Sequence, residues 1–419
     1  MASRIYLSFV LALYSCSDSG NYGTAVQNIG TPLEEQVGLF NAYGIETKNI
    51  FVFDSTTNRI LGVNTDTMAI NYKFELTNPG EQHYVAMDVN EKFVIDFSKR
   101  HLQVINLDGR RFDNPLKFLG TPISTAYNPS TRFMIVQDDL SSIGILKMTE
   151  DGAIEDSWLG GPLISEGKTI AAGDIDAAGR LVLTMSDGSI TLVDLAATLA
   201  QKSWQSSNFS SGLTGLNWVA PDISAQNKVL VASEESVSVL DVATKAILET
   251  VDFNQSKLSL YAKYYRATPS SDYYQQRYDP YETLMGYSKA GKPHILVKNS
   301  TDKNPTLYYL GSDGKIKTHV FQNVTVGMYL QSYLSADGKE FVAVFKSNRR
   351  ESRVLGVRLS DNLVIRDKTI SVPSGSVKIN SKLLLHDFET GLGRIDLYNI
   401  ADDTVKTTQG YNFEYLGQR

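Results

Sequence analysis

The sequence predicts an all-β fold, a β-propeller with eight blades most consistent with the pattern and seven as the alternative. Three observations predict it: eight copies of one strand–turn–strand pattern, steps of 40–48 residues between most copies, and Asp-Gly pairs at the turns. Four short strands at this period are typical of a propeller blade, which needs neighbours to bury both of its faces. An apolar content of 42% in 419 residues is sufficient for such a core.

Each copy combines a buried apolar strand with a following strand of alternating character. Two clear copies are "GRLVLTMSDGSITLVDLAATLAQKSW" at 179–204 and "NKVLVASEESVSVLDVATKAILETV" at 227–251. The apolar strands are expected to begin near residues 50, 92, 132, 180, 228, 293, 340 and 382. Helical periodicity is confined to possible turns at 195–200.

Tight hairpins need residues that adopt positive φ, and Asp-Gly pairs provide them. Such pairs are expected to form turns at Asp187-Gly188, Asp313-Gly314 and Asp337-Gly338.

The first copy lacks an innermost strand, whereas the last copy is followed by the strand-like tail "YNFEYLGQR". We expect residues 411–417 to complete the first blade and so close the ring. This closure would remove two exposed strand edges that otherwise invite aggregation.

Charge and composition exclude several classes of function. The net charge of −6 argues against nucleic acid as the main partner, because phosphate binding needs clustered Lys and Arg. The single cysteine excludes an internal disulfide framework, and the five histidines lack metal-ligand spacing. We therefore predict no metal site and no cofactor.

The N-terminus has the pattern of a secretory signal: Arg4, a short apolar run, and a small residue before Cys16. The stretch "LYSC", residues 13–16, resembles a bacterial lipobox, although Tyr14 is bulkier than the usual residue there. The resemblance implies that residues 1–15 are a lipoprotein signal peptide and that Cys16 is cut free and lipidated. The alternative is an ordinary secretory signal with an incidental cysteine. Ser17, where inner-membrane lipoproteins carry Asp, implies the outer membrane.

Residues 16–47, which begin with the cysteine that the resemblance implies is lipidated, have the composition of a tether, and residues 48–419 are expected to form a single propeller domain. One step of the repeat is 65 residues long, because it contains a Tyr-rich insertion at about 255–281. Tyr and Arg are enriched at binding hot spots, and loops on rigid scaffolds carry function. The alternative is that the insertion only covers the rim of the propeller, with its phenol groups hydrogen-bonded at the surface. The partner-binding candidates are Tyr261, Tyr264, Tyr265, Arg266, Tyr273, Tyr274, Arg277, Tyr278 and Tyr281.

No catalytic residue is predicted. The sequence contains no Gly-x-Ser-x-Gly nucleophile elbow, no sialidase box and no complete Trp-docking repeat. His294 and His386 lie in or beside predicted strands, where a buried, hydrogen-bonded histidine is more common than a catalytic base.

The repeat "VSVLDVATKAILETV" from Val237 is similar to the YVTN and quinoprotein-like repeats of bacterial envelope propellers. The layout of the chain is similar to that of the outer-membrane barrel-assembly propeller lipoproteins. The resemblance implies a lipid-anchored envelope protein that acts as a non-catalytic scaffold for a protein partner or a surface polymer. The alternatives are a secreted or periplasmic propeller enzyme of lactonase or lyase type, or a glycan-binding module.

Overall fold

A computed structural model describes the fold. It describes residues 31–32, 49–54, 59–75, 84–87, 93–98, 101–113, 116–120, 122–128, 130–140, 142–163, 170–222, 227–233, 235–253, 284–288, 292–298, 304–322, 328–335, 337–346, 351–371, 377–379, 382–387, 394–399, 404–408 and 413–414. Within these residues the chain is almost entirely β, with one short helix.

The strands form eight antiparallel sheets, which we number in chain order. Sheet 1 contains β33 (Phe413–Glu414), β2 (Asn49–Asp54), β3 (Arg59–Asn64) and β4 (Ile70–Glu75). Sheet 2 contains β5 (Tyr84–Met87), β6 (Phe93–Ser98), β7 (His101–Asn106) and β8 (Arg111–Asp113). Sheet 3 contains β1 (Thr31–Pro32), β9 (Pro122–Asn128), β10 (Phe133–Asp138), β11 (Ile143–Met148) and β12 (Ile154–Gly160). Sheet 4 contains β13 (Ile170–Ile175), β14 (Arg180–Met185), β15 (Ser189–Asp194) and β16 (Ser206–Ser210).

The second half of the chain repeats the arrangement. Sheet 5 contains β17 (Trp218–Pro221), β18 (Lys228–Ala232), β19 (Ser236–Asp241) and β20 (Ala246–Asp252). Sheet 6 contains β21 (Leu284–Ser288), β22 (His294–Lys298), β23 (Thr306–Leu310) and β24 (Ile316–Val320). Sheet 7 contains β25 (Met328–Leu334), β26 (Glu340–Lys346), β27 (Glu351–Arg358) and β28 (Leu363–Ser371). Sheet 8 contains β29 (Val377–Ile379), β30 (Lys382–Asp387), β31 (Arg394–Asn399) and β32 (Val405–Thr408).

The strand positions agree with the repeat. The apolar strand of every copy is the second strand of its four-stranded repeat and begins within one residue of the expected position. Glycines 188, 314 and 338 adopt φ of 81°, 72° and 70°, as expected for the Asp-Gly turns. The stretch at 195–200 forms the helix α1 (Leu195–Gln201), which is capped by the Asp194 carboxylate accepting from the Ala197 N–H.

Consecutive sheets pack through apolar clusters that share residues from both. Val104 of sheet 2 lies with Met134 of sheet 3, and Leu183 of sheet 4 lies with Ile135 of sheet 3. The same arrangement joins sheets 4 and 5, sheets 5 and 6, and sheets 6 and 7. Both faces of a sheet are therefore buried, which explains why the second and third strands read as nearly continuous apolar runs.

In sheet 1, β33 pairs with β2, so that Phe53 lies opposite Glu414 and Asp54 opposite Phe413. This pairing lies within the tail that the sequence places beside the first copy. The strand next to it in the chain, β32 of sheet 8, also reaches sheet 1, because the Lys406 ammonium donates to the Asp66 carbonyl.

The antiparallel order gives each sheet two ends. We call "top end" the end where first strands begin and second strands finish, and "bottom end" the end where first strands finish and second strands begin. At the bottom end the Asn128 amide of sheet 3 donates to the Asp176 carbonyl of sheet 4, at 2.8 Å. Arg180 of sheet 4 donates to the Asn227 side chain of sheet 5, at 2.7 Å. The bottom ends of neighbouring sheets are thus aligned.

Candidate functional site

The residues that the sequence singles out for binding lie outside the described residues. This holds for Cys16 and for all nine partner-binding candidates between Tyr261 and Tyr281. The structure does describe the strands on either side of the Tyr-rich insertion: β20 finishes, and β21 begins, at the top end.

A buried polar cluster lies at the bottom end where sheets 5, 6 and 7 meet. The Lys292 ammonium is 2.9 Å from the Asp222 carboxylate, and both side chains are less than a tenth exposed. The Lys292 N–H donates to the Leu334 carbonyl of sheet 7 at 2.8 Å. Lys292 therefore ties sheet 6 to sheet 5 through its side chain and to sheet 7 through its backbone.

His294 belongs to the same cluster, and its two hydrogen bonds define its tautomer. Its Nδ1 lies 2.7 Å from the Lys292 carbonyl, and its Nε2 lies 2.6 Å from the Ser332 hydroxyl. A carbonyl only accepts, so Nδ1 carries the proton and Nε2 accepts from the Ser332 O–H. The ring stands edge-on to Phe341, with 5.6 Å between centroids.

This serine–histidine contact is enclosed in protein. His294 and Ser332 are both 0% exposed, so no molecule in solvent reaches the hydroxyl. Burial lowers the pKa of His294 to about 4, against a partly compensating effect of the bond to the Lys292 carbonyl. The geometry stabilises a neutral ring between sheets 6 and 7, which agrees with the interpretation of His294 as a structural histidine. The side chain of His386 lies outside the described side chains.

The buried neutral histidine predicts a pH dependence of stability. The unfolded chain takes up a proton at His294 near pH 6.5, whereas the folded chain does so near pH 4. The contribution of His294 to the free energy of unfolding should therefore be fully present above pH 6.5. The free energy of unfolding should fall by about 3 kcal/mol as the pH falls to 4. Urea unfolding between pH 4 and 7 measures this slope.

The variant His294→Gln should lose that part of the slope, because its side chain does not titrate. The matched control His319→Gln changes a histidine two strands away, on β24, and leaves the His294 ring in place. Equal slopes for wild type and His294→Gln would contradict the interpretation.

At the top end, two exposed leucines lie on separate loops of sheet 3. Leu119 is 74% exposed and precedes β9, whereas Leu140 is 60% exposed and follows β10. Among the described residues they are the two most exposed large apolar side chains. The other such side chains lie on the outermost strands of their sheets: Leu248, Val320, Leu363, Val364, Ile365 and Val405.

One buried carboxylate fixes both loops. Asp138 is 0% exposed, and its Oδ2 accepts from the Gly120 N–H at 3.1 Å. Its Oδ1 accepts from the N–H groups of Leu140 and Ser142, at 3.0 and 2.7 Å. Gly120 allows a close approach to this carboxylate, since a Cβ there would lie 3.0 Å from the carboxyl carbon of the buried Asp138. The loops that carry Leu119 and Leu140 are therefore held together through backbone groups.

These leucines are not among the binding candidates that the sequence predicts, because an isolated leucine near a strand is ordinarily a core residue. The available signal was local. Leu119 is followed by Gly120, and Leu140 stands in the polar turn "DDLSS", where an apolar residue has no strand neighbours to bury it.

Among the described residues, no group of three or more His, Cys, Asp or Glu side chains is arranged to hold a metal ion. The helix α1, in the described part of the chain, is too short to cross a membrane, and no longer apolar helix is found there.

Comparison with solved structures identifies similar architectures. The structure of dihydro-heme d1 dehydrogenase NirN in complex with DHE aligns at 11% identity over 91% of this chain and 77% of its own, with a TM-score of 0.53. The Myceliophteria thermophila Cps50 (Swd1) beta-propeller domain aligns at 11% identity over 75% and 96%, with a TM-score of 0.44. No protein-family model and no curated protein matches the chain. At these identities the likeness concerns the fold alone: the chain is an all-β protein of the β-propeller type.

Proposed function

We propose that the chain is a lipid-anchored propeller of the bacterial cell envelope, attached to the outer membrane through Cys16, that acts as a non-catalytic scaffold for an envelope protein. The observation that carries the binding role is the pair of exposed leucines, Leu119 and Leu140, on loops held by the buried Asp138 carboxylate. Exposed apolar side chains on a preorganised backbone lose little conformational entropy on binding, so their burial contributes to affinity.

The proposed ring has eight blades, one for each sheet, and closes through the C-terminal strand. Three contacts around sheet 1 support closure: β33 pairs with β2, Lys406 of sheet 8 donates to the Asp66 carbonyl, and Arg111 of sheet 2 donates to the Glu75 carbonyl. Apolar clusters join each pair of consecutive sheets from sheet 2 to sheet 7. With the three contacts around sheet 1, every described sheet has at least one neighbour.

The top end is the proposed binding face. Leu119 and Leu140 lie there. The strand before the Tyr-rich insertion finishes at the same end, and the strand after the insertion begins there. A protein partner could therefore contact the leucines and the insertion together. Tyr and Arg in the insertion would supply the polar and aromatic contacts that are enriched at interfaces.

The leucine pair provides a direct test of the binding face. The double variant Leu119→Ser/Leu140→Ser should bind the partner at least about tenfold more weakly, since burying one leucine contributes about 1.5–3 kcal/mol. The measurement is quantitative recovery of cross-linked partners from native membranes, in comparison with wild type.

The matched control is Leu248→Ser/Val405→Ser, which makes the same kind of change at two half-exposed positions on outermost strands. It should recover the wild-type set of partners. If the top-end variant also recovers the wild-type set while folded, the leucines are not part of the interface. A Gly/Ser replacement of residues 262–280 then tests the insertion by itself.

A further inference from the structure

The N-terminal segment makes a contact that the sequence does not indicate. Composition predicts a tether over residues 16–47, yet Thr31–Pro32 forms the strand β1, which pairs with β9. Thr31 lies opposite Thr125, and Pro32 lies opposite Ser124, in antiparallel register. Two residues of the predicted tether are thus part of a sheet.

The position of β1 in its sheet is unusual for this molecule. The strand order of sheet 3 is β1-β9-β10-β11-β12, so β1 extends the sheet beyond its first strand. In the other seven sheets, as far as their residues are described, the first strand of the repeat has no strand beyond it. In a closed propeller the first strands surround the central channel. The added strand therefore lies on the channel side of blade three.

The chemistry of the pairing is that of strand addition to a free edge. The inner edge of β9 presents backbone N–H and C=O groups, and an extended segment satisfies them. Pro32 cannot donate a hydrogen bond from its nitrogen, and proline is tolerated on the outermost strand of a sheet, where one side remains unpaired.

The antiparallel register also fixes the direction of the chain. Since β9 runs from the top end to the bottom end, β1 runs from bottom to top. Thr31 therefore lies nearer the bottom end than Pro32 does.

We infer that the channel-side edge of β9 is a strand-binding site whose occupant is the chain's own segment at Thr31–Pro32, antiparallel to β9. This inference rests on the proposed ring.

Disulfide trapping tests the pairing in the full chain. In a Cys16→Ser background, Thr31→Cys/Thr125→Cys places two thiols at directly opposed positions, where antiparallel Cα atoms are about 4.5–5.5 Å apart and within disulfide range. Mild oxidation should convert most of the monomer into the cross-linked form, at least about fivefold more than in the control. Non-reducing electrophoresis and intact mass measure it.

The matched control is Thr31→Cys/Met285→Cys. Met285 lies opposite Val297 in sheet 6, at the register that Thr125 has opposite Val136 in sheet 3. A second pair, Pro32→Cys/Ser124→Cys, covers the case in which the first variant does not fold. Equal cross-linking in test and control, or none in either folded test variant, would overturn the inference. The outcome does not depend on lipidation, because position 16 is serine throughout, so it is distinguishable from failure of the proposed anchor.

Discussion

Replacing Lys292 by methionine should lower the free energy of unfolding by about 3–5 kcal/mol. The substitution leaves the Asp222 carboxylate, 5% exposed, without the ammonium that lies 2.9 Å away. Removing one partner of a buried ion pair typically costs this much, because the remaining carboxylate loses the opposite charge while it stays out of water. Because Lys292 joins three sheets, the loss affects the packing of sheet 5 on sheet 6. Urea unfolding at pH 7 measures the change.

Two further variants identify the cause of that loss. The double variant Asp222→Asn/Lys292→Met also removes the carboxylate charge and should recover part of the stability. Burial of a neutral amide costs less free energy than burial of a carboxylate. Lys202→Met breaks the half-exposed pair with Asp156 and should cost less than about 1 kcal/mol. Equal costs for Lys292→Met and Lys202→Met would mean that the Asp222–Lys292 pair is solvated.

Deleting residues 411–419 should lower Tm by roughly 2–4 °C, because it removes β33 and its pairing with β2. The inner edge of β2 then becomes a free strand edge, which also predicts concentration-dependent association. Differential scanning calorimetry with light scattering measures both effects. The shorter deletion of 415–419 retains Phe413 and Glu414 and should melt close to the full chain. If both deletions behave alike, the C-terminal strand does not contribute to closure.

Local patterns predicted the framework of the fold well. Strand starts depend on apolar alternation and on turn residues such as Gly188, which interact over a few positions of the chain. The strand at 413–414 was also expected, because the first copy lacked one strand and the last copy was followed by a surplus one.

Contacts between sheets were not predictable in the same way. Asp222 and Lys292 lie 70 positions apart, and the intervening residues include the Tyr-rich insertion, so nothing in either local sequence indicates the other. Leu119 and Leu140 have the apolar character of core residues, and the buried Asp138 carboxylate that bonds to their loops is not evident from either local sequence. The pairing of Thr31 with Thr125 is a backbone contact, and composition carries no signal for it.

The described histidine chemistry is structural. The serine–histidine contact, which in a cleft would suggest a nucleophile, is enclosed between sheets and orders them instead. The two most exposed apolar side chains among the described residues, Leu119 and Leu140, lie on loops at one end, which favours recognition of a protein.

The proposed attachment of the propeller to the envelope by lipid is tested by the mass of the mature N-terminus. The protein is purified from native membranes as wild type and as Cys16→Ser, and the N-terminal peptide is measured. We expect a wild-type chain that begins at Cys16 with the added mass of acyl chains, and a Cys16→Ser variant that leaves the membrane fraction. A soluble wild-type protein without lipid would contradict the anchor and favour a secreted or periplasmic propeller.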